Sequence, residues 1–222
     1  MSARPSYLLR VRLPDRPGTL GQVASALGVT GADIESIVVV DRLAGQAVDD
    51  LLVTLPPGAL ADALVTAACS VDGVAVESLR RHHGRVSAAD DLSLLDLAAS
   101  VEQPLHALVD GLPDLVHASY ALLVDGPPAA GVVRHGSPAA PASRTRLDWL
   151  PIDAPRVIAA EEVWADAGAA GPDCELVAVP ADGGRAVVLG RIGGPSFRPA
   201  ELLRLAHLVT IAASAGRPTT AG

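Results

Sequence analysis

The order in which hydrophobic periodicities change over the first 80 residues limits the possible folds of this chain more than any other feature. From Tyr7 to Leu13, apolar residues alternate with Arg10 and Arg12, which is the period-two pattern of a strand with one buried face. A Pro-Gly turn follows, and apolar residues then recur at the spacing of one helical face; these are Leu20, Val23, Ala24 and Leu27. The sequence therefore predicts strand, tight turn and helix in its first 30 residues.

The same two periods continue in the order strand, strand, helix, strand. Residues 33–41 and 47–56 flank a short loop with Gly45, which predicts an antiparallel hairpin. A second helical stripe precedes a last strand at 74–80; the stripe consists of Leu60, Ala63, Leu64 and Ala67. The order βαββαβ predicts a ferredoxin-like unit, in which two helices cover one face of a four-stranded antiparallel sheet. The strand from Asp33 to Asp41 is then an edge strand, which can pair with a second copy of the chain.

This first part, over residues 1–81, resembles an ACT domain, a small regulatory module that binds amino acids. The resemblance rests on DRPGTLG at 15–21, on GADIESI at 31–37 and on the order of the elements. It implies that the turn after the first strand meets the second strand of a neighbouring subunit, with a free amino acid between them. We therefore expect a homodimer that forms through the edge strand.

The turn that opens the first helix is the candidate ligand site. A helix N-terminus offers unpaired amides and the positive end of its dipole, so the first amides of this helix could hold a carboxylate. Asp33 is a candidate acceptor for an ammonium group, and Glu35 is expected on the same strand face. The predicted ligand residues are Asp15, Pro17, Gly18, Thr19, Leu20, Asp33 and Glu35. The alternative is a purely structural turn, because Pro-Gly turns begin helices in many proteins.

The second part of the chain predicts another domain, over residues 92–215, after a linker at 82–91 and before a disordered tail at 216–222. Helices are expected at 94–101, from Pro104 to a stop at Pro113, and at 199–214, with a helical turn at 161–167. Strands are expected at 118–126, 131–136 and 156–160 and in the hairpin 174–193. The segment 137–146 is expected to be a mobile loop.

This arrangement resembles a GAF-type sensor domain. The resemblance is carried by CELVAVP, GRAVVLGR and FRPAELLRLAHLVTIAAS, which are similar to the closing hairpin and helix of that family. It implies a central antiparallel sheet, and the loop 137–146 with the region from Trp149 to Trp164 is where a pocket is expected. Taken together, the two resemblances predict an α+β protein.

Composition argues against several classes of function. A net charge of -8 and 2% aromatic residues disfavour nucleic-acid binding. No apolar run reaches the roughly 18 to 20 residues that span a bilayer. Cys69 and Cys174 lack metal-site spacing and are expected to be reduced core thiols, and the absence of Lys excludes Schiff-base chemistry. We expect a soluble cytoplasmic protein that has no cofactor and binds neither membrane nor nucleic acid.

No catalytic or metal-binding constellation emerges from the sequence. The pairs Asp49-Asp50 and Glu161-Glu162 are adjacent carboxylates, which point to opposite faces of a strand or diverge on a helix, and the histidines are scattered. The sequence therefore favours a non-catalytic regulator that senses an amino acid and signals through a downstream protein partner. The competing hypothesis is a dimerisation and interaction scaffold with no small-molecule ligand.

Overall fold

The computed structural model describes residues 4–82, 89–126, 132–143 and 145–215. The chain divides into two units, Met1–Ser87 and Ala88–Gly222. The predicted tail at 216–222 and residues 83–88 of the predicted linker lie outside the described residues. Within the predicted linker, His82 is the last residue of a strand and residues 89–91 begin a helix. Each unit combines helices with an antiparallel sheet, which confirms the α+β class.

The first unit has the predicted βαββαβ order. Its elements are β1 (Ser6–Pro14), α1 (Thr19–Val29), β2 (Asp33–Leu43), β3 (Gln46–Thr54), α2 (Asp62–Cys69) and β4 (Ala75–His82). The strands lie in the order β2-β3-β1-β4, and all neighbours are antiparallel. β2 is an edge strand of this sheet, as the sequence pattern predicts.

The core of the first unit lies between the two helices and one face of the sheet. Val23 and Leu27 of α1 pack with alternate residues of β1 and β3, and the predicted stripe of α1 is confirmed. The stripe of α2 differs at its start, because Leu60 precedes the helix and is 75% exposed. Leu64 and Ala68 are the buried residues of α2 instead.

The hairpin between β2 and β3 holds the β1–α1 turn in place. Its two loop residues, Ala44 and Gly45, have φ angles of 54° and 75°, which is the pattern of the two-residue turns that suit the twist of paired strands. The backbone amide of Asp15 donates to the carbonyl of Gly45 at 2.9 Å. The turn at the start of α1 therefore lies at the Leu43 end of β2.

The second unit contains the remaining elements of the described chain. They are α3 (Ala89–Ala99), α4 (Pro104–Val116), β5 (Tyr120–Asp125), β6 (Val132–Gly136), β7 (Arg156–Ile158), α5 (Ala160–Val163), β8 (Cys174–Pro180), β9 (Ala186–Ile192) and α6 (Pro199–Ala215). The sheet has the order β6-β5-β9-β8-β7, with antiparallel neighbours. α3, α4 and α6 pack on one face, and residues from 147 to 170 cover the other.

The predicted end of α4 at Pro113 is wrong, since the helix continues to Val116. Proline removes one backbone donor and costs roughly 3 kcal/mol inside a helix. Leu112 and Val116, on either side of Pro113, are both buried in the core, and this burial offsets the penalty. His117 then closes the helix in a left-handed conformation, with φ of 54°.

The predicted mobile loop at 137–146 is anchored at both ends. Ser137 is 4% exposed, and its Oγ accepts a hydrogen bond from the amide of Ala121 at 2.9 Å. At the other end the amide of Arg146 donates to the carbonyl of Val163 at 2.6 Å. The prediction of a mobile loop relied on the low apolar content of the segment. Its anchors are instead hydrogen bonds of backbone and hydroxyl groups, which apolar content does not reveal.

The two cysteines occupy different surroundings from those expected. Both are free, but Cys69 is exposed and Cys174 is half-buried, so the expectation of two core thiols is wrong for Cys69. Burial raises the pKa of the Cys174 thiol, which keeps it protonated at neutral pH. Among the described residues, no helix combines the length and apolar content that crossing a bilayer requires.

Candidate functional site

A cavity of about 330 Å³ lies beside the turn between β1 and α1. The end of β1, the turn, the first residues of α1 and the neighbouring stretches of β2 and β3 form its walls. Its charged lining residues are Asp15, Arg16, Arg42 and Asp49. Leu13, Leu20 and Val39 supply apolar surface. The cavity therefore presents both signs of charge beside an apolar wall.

Five of the seven predicted ligand residues lie at this turn, and three of them, Asp15, Pro17 and Leu20, line the cavity. Gly18 has a φ of 92°, so its left-handed backbone explains the glycine without a ligand. The amide of Thr19 donates to the carbonyl of Arg16 at 3.2 Å. Contrary to expectation, the Thr19 amide is therefore already engaged by the protein.

Within one chain, Asp33 and Glu35 lie at the end of the sheet that is far from the β1–α1 turn. Asp33 is opposite Thr54, whereas Leu43, at the other end of β2, is opposite Gln46 beside the turn. An eleven-residue strand spans about 35 Å, so one chain cannot bring Asp33 to the turn. The pairing register shifts between Ile34 and Ser36, which leaves Glu35 outside the regular alternation. Asp33 and Glu35 are both exposed, and their shared face stays a prediction.

Asp49 is the functional candidate that the sequence analysis missed. It lies on β3 opposite Val11 of β1 and Val39 of β2, on the helix-covered face, and is 2% exposed. Its Oδ1 has no hydrogen-bond partner among the described residues. The sequence AVDDLLVTL could have identified this residue. Asp49 stands between Ala47 and Leu51, at a position where the alternation of the strand calls for a buried apolar side chain.

The neighbouring carboxylate, Asp50, has a different environment. Its two oxygens accept hydrogen bonds from Nε and Nη2 of Arg10, both at 2.7 Å. Arg10 and Asp50 are 2% and 5% exposed, so this is a buried bidentate ion pair. The two carboxylates diverge across the sheet as predicted, and only that of Asp49 lines the cavity.

Arg42 is an exposed and weakly held cation of the cavity. Its side chain is 63% exposed, and its Nε lies 3.9 Å from Oδ2 of Asp15, at the limit of an ion pair. An exposed pair at this distance contributes little to stability. The guanidinium of Arg42 can therefore turn toward an anion in the cavity at small cost.

Burial raises the pKa of Asp49, and the carboxylates of Asp15 and Asp50 add to the effect, while Arg42 opposes it. We predict that Asp49→Asn raises the free energy of unfolding at neutral pH by about 1 kcal/mol, because it removes an unpaired buried charge. The folded state binds the Asp49 proton more tightly than the unfolded chain does. The stability from this group is therefore present at acid pH and lost as pH rises through the raised pKa.

Urea unfolding between about pH 4 and pH 8, followed by circular dichroism, checks this prediction. The advantage of Asp49→Asn should be largest at the alkaline end and should shrink as the medium becomes acidic. A variant that is less stable than the wild type throughout this range would show that the Asp49 charge is stabilised in the fold.

The second unit brings together two histidines that are distant in sequence. The rings of His106 and His135 stack with centroids 4.4 Å apart, and Nε2 of His135 lies 2.8 Å from Oδ1 of Asp110. Burial lowers the pKa of His106, and His135 adds to this shift. His106 also lines a smaller cavity of about 120 Å³ at the start of α4. In the described part of the chain, no three His, Cys, Asp or Glu side chains are grouped to hold a metal ion.

The two tryptophans of the region where the sequence suggested a pocket in the second unit pack against other side chains. Trp164 is 1% exposed and packs edge-on to Tyr120, with ring centroids 6.2 Å apart. Trp149 packs against the hydrophobic cluster that contains Tyr120 and Trp164, and its Nε1 donates to the carbonyl of Arg146 at 3.0 Å. Both tryptophans therefore contribute to packing on this face of the sheet.

Comparisons with known proteins identify structural likenesses only. No protein-family model matches the chain, and no curated protein matches it. A protein described as a glycine cleavage system transcriptional repressor is 8% identical over 93% of this chain and 91% of its own, with a TM-score of 0.32. A formyltetrahydrofolate deformylase from Pseudomonas putida KT2440 is 18% identical over 42% of this chain and 36% of its own, with a TM-score of 0.29.

An uncharacterized protein from Thermotoga maritima is 21% identical over 36% of this chain and 98% of its own, with a TM-score of 0.29. TM-scores at this level carry no argument about this chain.

Proposed function

We propose that this chain is a non-catalytic regulatory protein whose first unit, an ACT-like module, binds a free amino acid beside the β1–α1 turn. The observation that carries the proposal is the cavity of about 330 Å³, which combines Asp15 and Asp49 with Arg16 and Arg42. A free amino acid carries one ammonium and one carboxylate group, and this lining offers a partner for each. The volume is at the lower end of the roughly 300 to 1,000 Å³ typical of small-molecule sites.

In this proposal the protein is a homodimer, and its two chains pair along the edge strand β2. The edge strand exposes Ile37, Val39 and Leu43, which are 41%, 45% and 72% accessible. An antiparallel two-fold pairing about Val38 would set Ile37 against Val39 of the partner subunit. An exposed edge with apolar side chains favours such pairing over solvation.

The same pairing accounts for the separation of the predicted ligand residues. It would place Asp33 of the partner subunit beside Leu43, at the end of the sheet where the turn lies. The end of the second chain's β2 would then lie beside the cavity, with Asp33 on the face of the sheet that also carries Thr54. A ligand bound there would contact both subunits and would favour the dimer over the monomer.

We propose a GAF-like sensor module for the second unit. A five-stranded antiparallel sheet, helices on one face and the closing hairpin β8–β9 followed by α6 support this assignment. In this proposal the module passes the state of the first unit to a downstream protein in the cytoplasm. The exposed apolar edge of β2 also favours the second candidate, a dimerisation scaffold without a ligand.

Thermal unfolding of the full chain with each of the twenty amino acids at millimolar concentration separates these two candidates. A ligand that binds only the folded protein stabilises it by about 2.7 kcal/mol at 100 times its dissociation constant. We expect a selective rise in the unfolding temperature that Asp33→Ala diminishes. Asp96→Ala, which removes an exposed carboxylate of α3, is the matched control and should leave the rise unchanged. A folded dimer that responds to no amino acid would contradict the sensor proposal and favour the scaffold.

A further inference from the structure

The buried Oδ1 of Asp49, which has no hydrogen-bond partner among the described residues, requires an explanation that the fold alone does not supply. A buried polar atom without a partner costs about 1 to 3 kcal/mol, and more when it is charged. Oδ1 of Asp49 is such an atom among the described residues, in a side chain that is 2% exposed. Asp49 also lines the cavity at the turn, so its side chain borders the space that a ligand would fill.

We propose that Asp49 is the ammonium-binding residue of this cavity and that the ligand is an α-amino acid with an apolar side chain. This inference rests on the proposed function and assigns its specificity. Asp49 belongs to the same chain as the turn, so the ammonium site is complete without the partner subunit. Asp33 of the partner subunit is then an addition to the site rather than its central acceptor.

The charges around Asp49 favour a zwitterion over a simple cation. Arg42 on β2 and Arg16 in the turn line the same cavity and would repel a bare metal ion. The weakly held guanidinium of Arg42 is available for the carboxylate of the ligand. A ligand with adjacent ammonium and carboxylate groups can thus neutralise Asp49 and Arg42 together.

The apolar wall sets the expected side chain of the ligand. The cavity is lined by Leu13, Leu20 and Val39, whose side chains contain no hydrogen-bonding group. A polar ligand side chain against this wall would lose its hydration without compensation. An apolar side chain gains free energy from the same contact.

The test uses paired probes that differ only in the amino group. They are valine with 3-methylbutanoate, leucine with 4-methylpentanoate, and phenylalanine with 3-phenylpropanoate. Dissociation constants are measured by calorimetric titration of the full chain, for the wild type, for Asp49→Asn and for the control Asp96→Asn. Because Asp49→Asn is expected to be more stable than the wild type, a loss of binding cannot be attributed to unfolding, and circular dichroism checks this.

We expect at least one of the three amino acids to bind the wild type and its deaminated partner to bind at least tenfold more weakly. Asp49→Asn should weaken binding of that amino acid by at least tenfold, and Asp96→Asn should not change it. Unchanged affinity in Asp49→Asn, or equal affinity for the deaminated acid, would overturn the role of Asp49 while the proposed function stands. If none of the three apolar amino acids binds while thermal unfolding shows stabilisation by amino acids with polar or charged side chains, the apolar class would be overturned. Absence of binding by all twenty amino acids would contradict the proposed function itself.

Discussion

Asp50→Asn should lower the free energy of unfolding of the first unit by about 3 to 5 kcal/mol. The substitution keeps the size of the side chain but removes the charge that balances Arg10. Both residues are almost fully buried, at 2% and 5% exposure, and are joined by two hydrogen bonds of 2.7 Å. The guanidinium of Arg10 would keep its charge in a place where water cannot compensate for the lost carboxylate.

Urea unfolding followed by circular dichroism measures this loss, and the adjacent substitution Asp49→Asn is its matched control. The two variants change neighbouring carboxylates on β3 in the same way, yet their expected effects have opposite signs at neutral pH. The double variant Arg10→Met, Asp50→Leu should recover much of the stability, because it removes both buried charges. Equal effects of Asp49→Asn and Asp50→Asn would contradict the assignment of the two side chains to different faces.

Arg191→Met should destabilise the second unit by about 3 to 5 kcal/mol. Arg191 is 1% exposed, and its Nη2 donates to Oε1 of Glu201 at 2.8 Å and to the carbonyl of Val116 at 2.7 Å. Its guanidinium also lies 3.7 Å from the ring centroid of Phe197. The residue thus connects β9 to the end of α4 and the start of α6, and methionine can replace only its apolar contacts.

Tryptophan fluorescence is a suitable probe for this variant, because both tryptophans of the chain, Trp149 and Trp164, belong to the second unit. Arg134→Met is the matched control. Arg134 pairs with Asp125 at 2.8 Å, but the two side chains are 55% and 25% exposed. Loss of an exposed pair costs at most about 1 kcal/mol. Similar losses for the two arginine variants would show that burial of the Arg191 pair does not determine its contribution.

Local periodicity was sufficient to predict most of the fold. The alternation in β1, the stripe of α1 and the β8–β9 hairpin follow directly from neighbouring residues, and the structure confirms them. The errors arise where long-range packing decides the outcome. Pro113 remains inside α4 because the flanking residues are buried, and the segment 137–146 is anchored by groups whose partners lie far away in sequence.

The candidate site was only partly predictable for the same reason. The motif at 15–21 correctly located the turn, but the contribution of β3 depends on which strands become neighbours. Asp49 enters the cavity because β3 lies between β1 and β2. The sequence did show that Asp49 occupies a position of the strand where a buried apolar side chain is expected. A charged residue in that phase indicates either a buried ion pair or a binding group.

Calorimetric titration of this chain at about pH 7, with the amino acid that stabilises it most, tests the central claim most directly. We expect saturable binding of one amino acid per chain, at a site that Asp49→Asn weakens and Asp96→Asn does not. A folded protein that shows no heat of binding with any of the twenty amino acids would contradict the account.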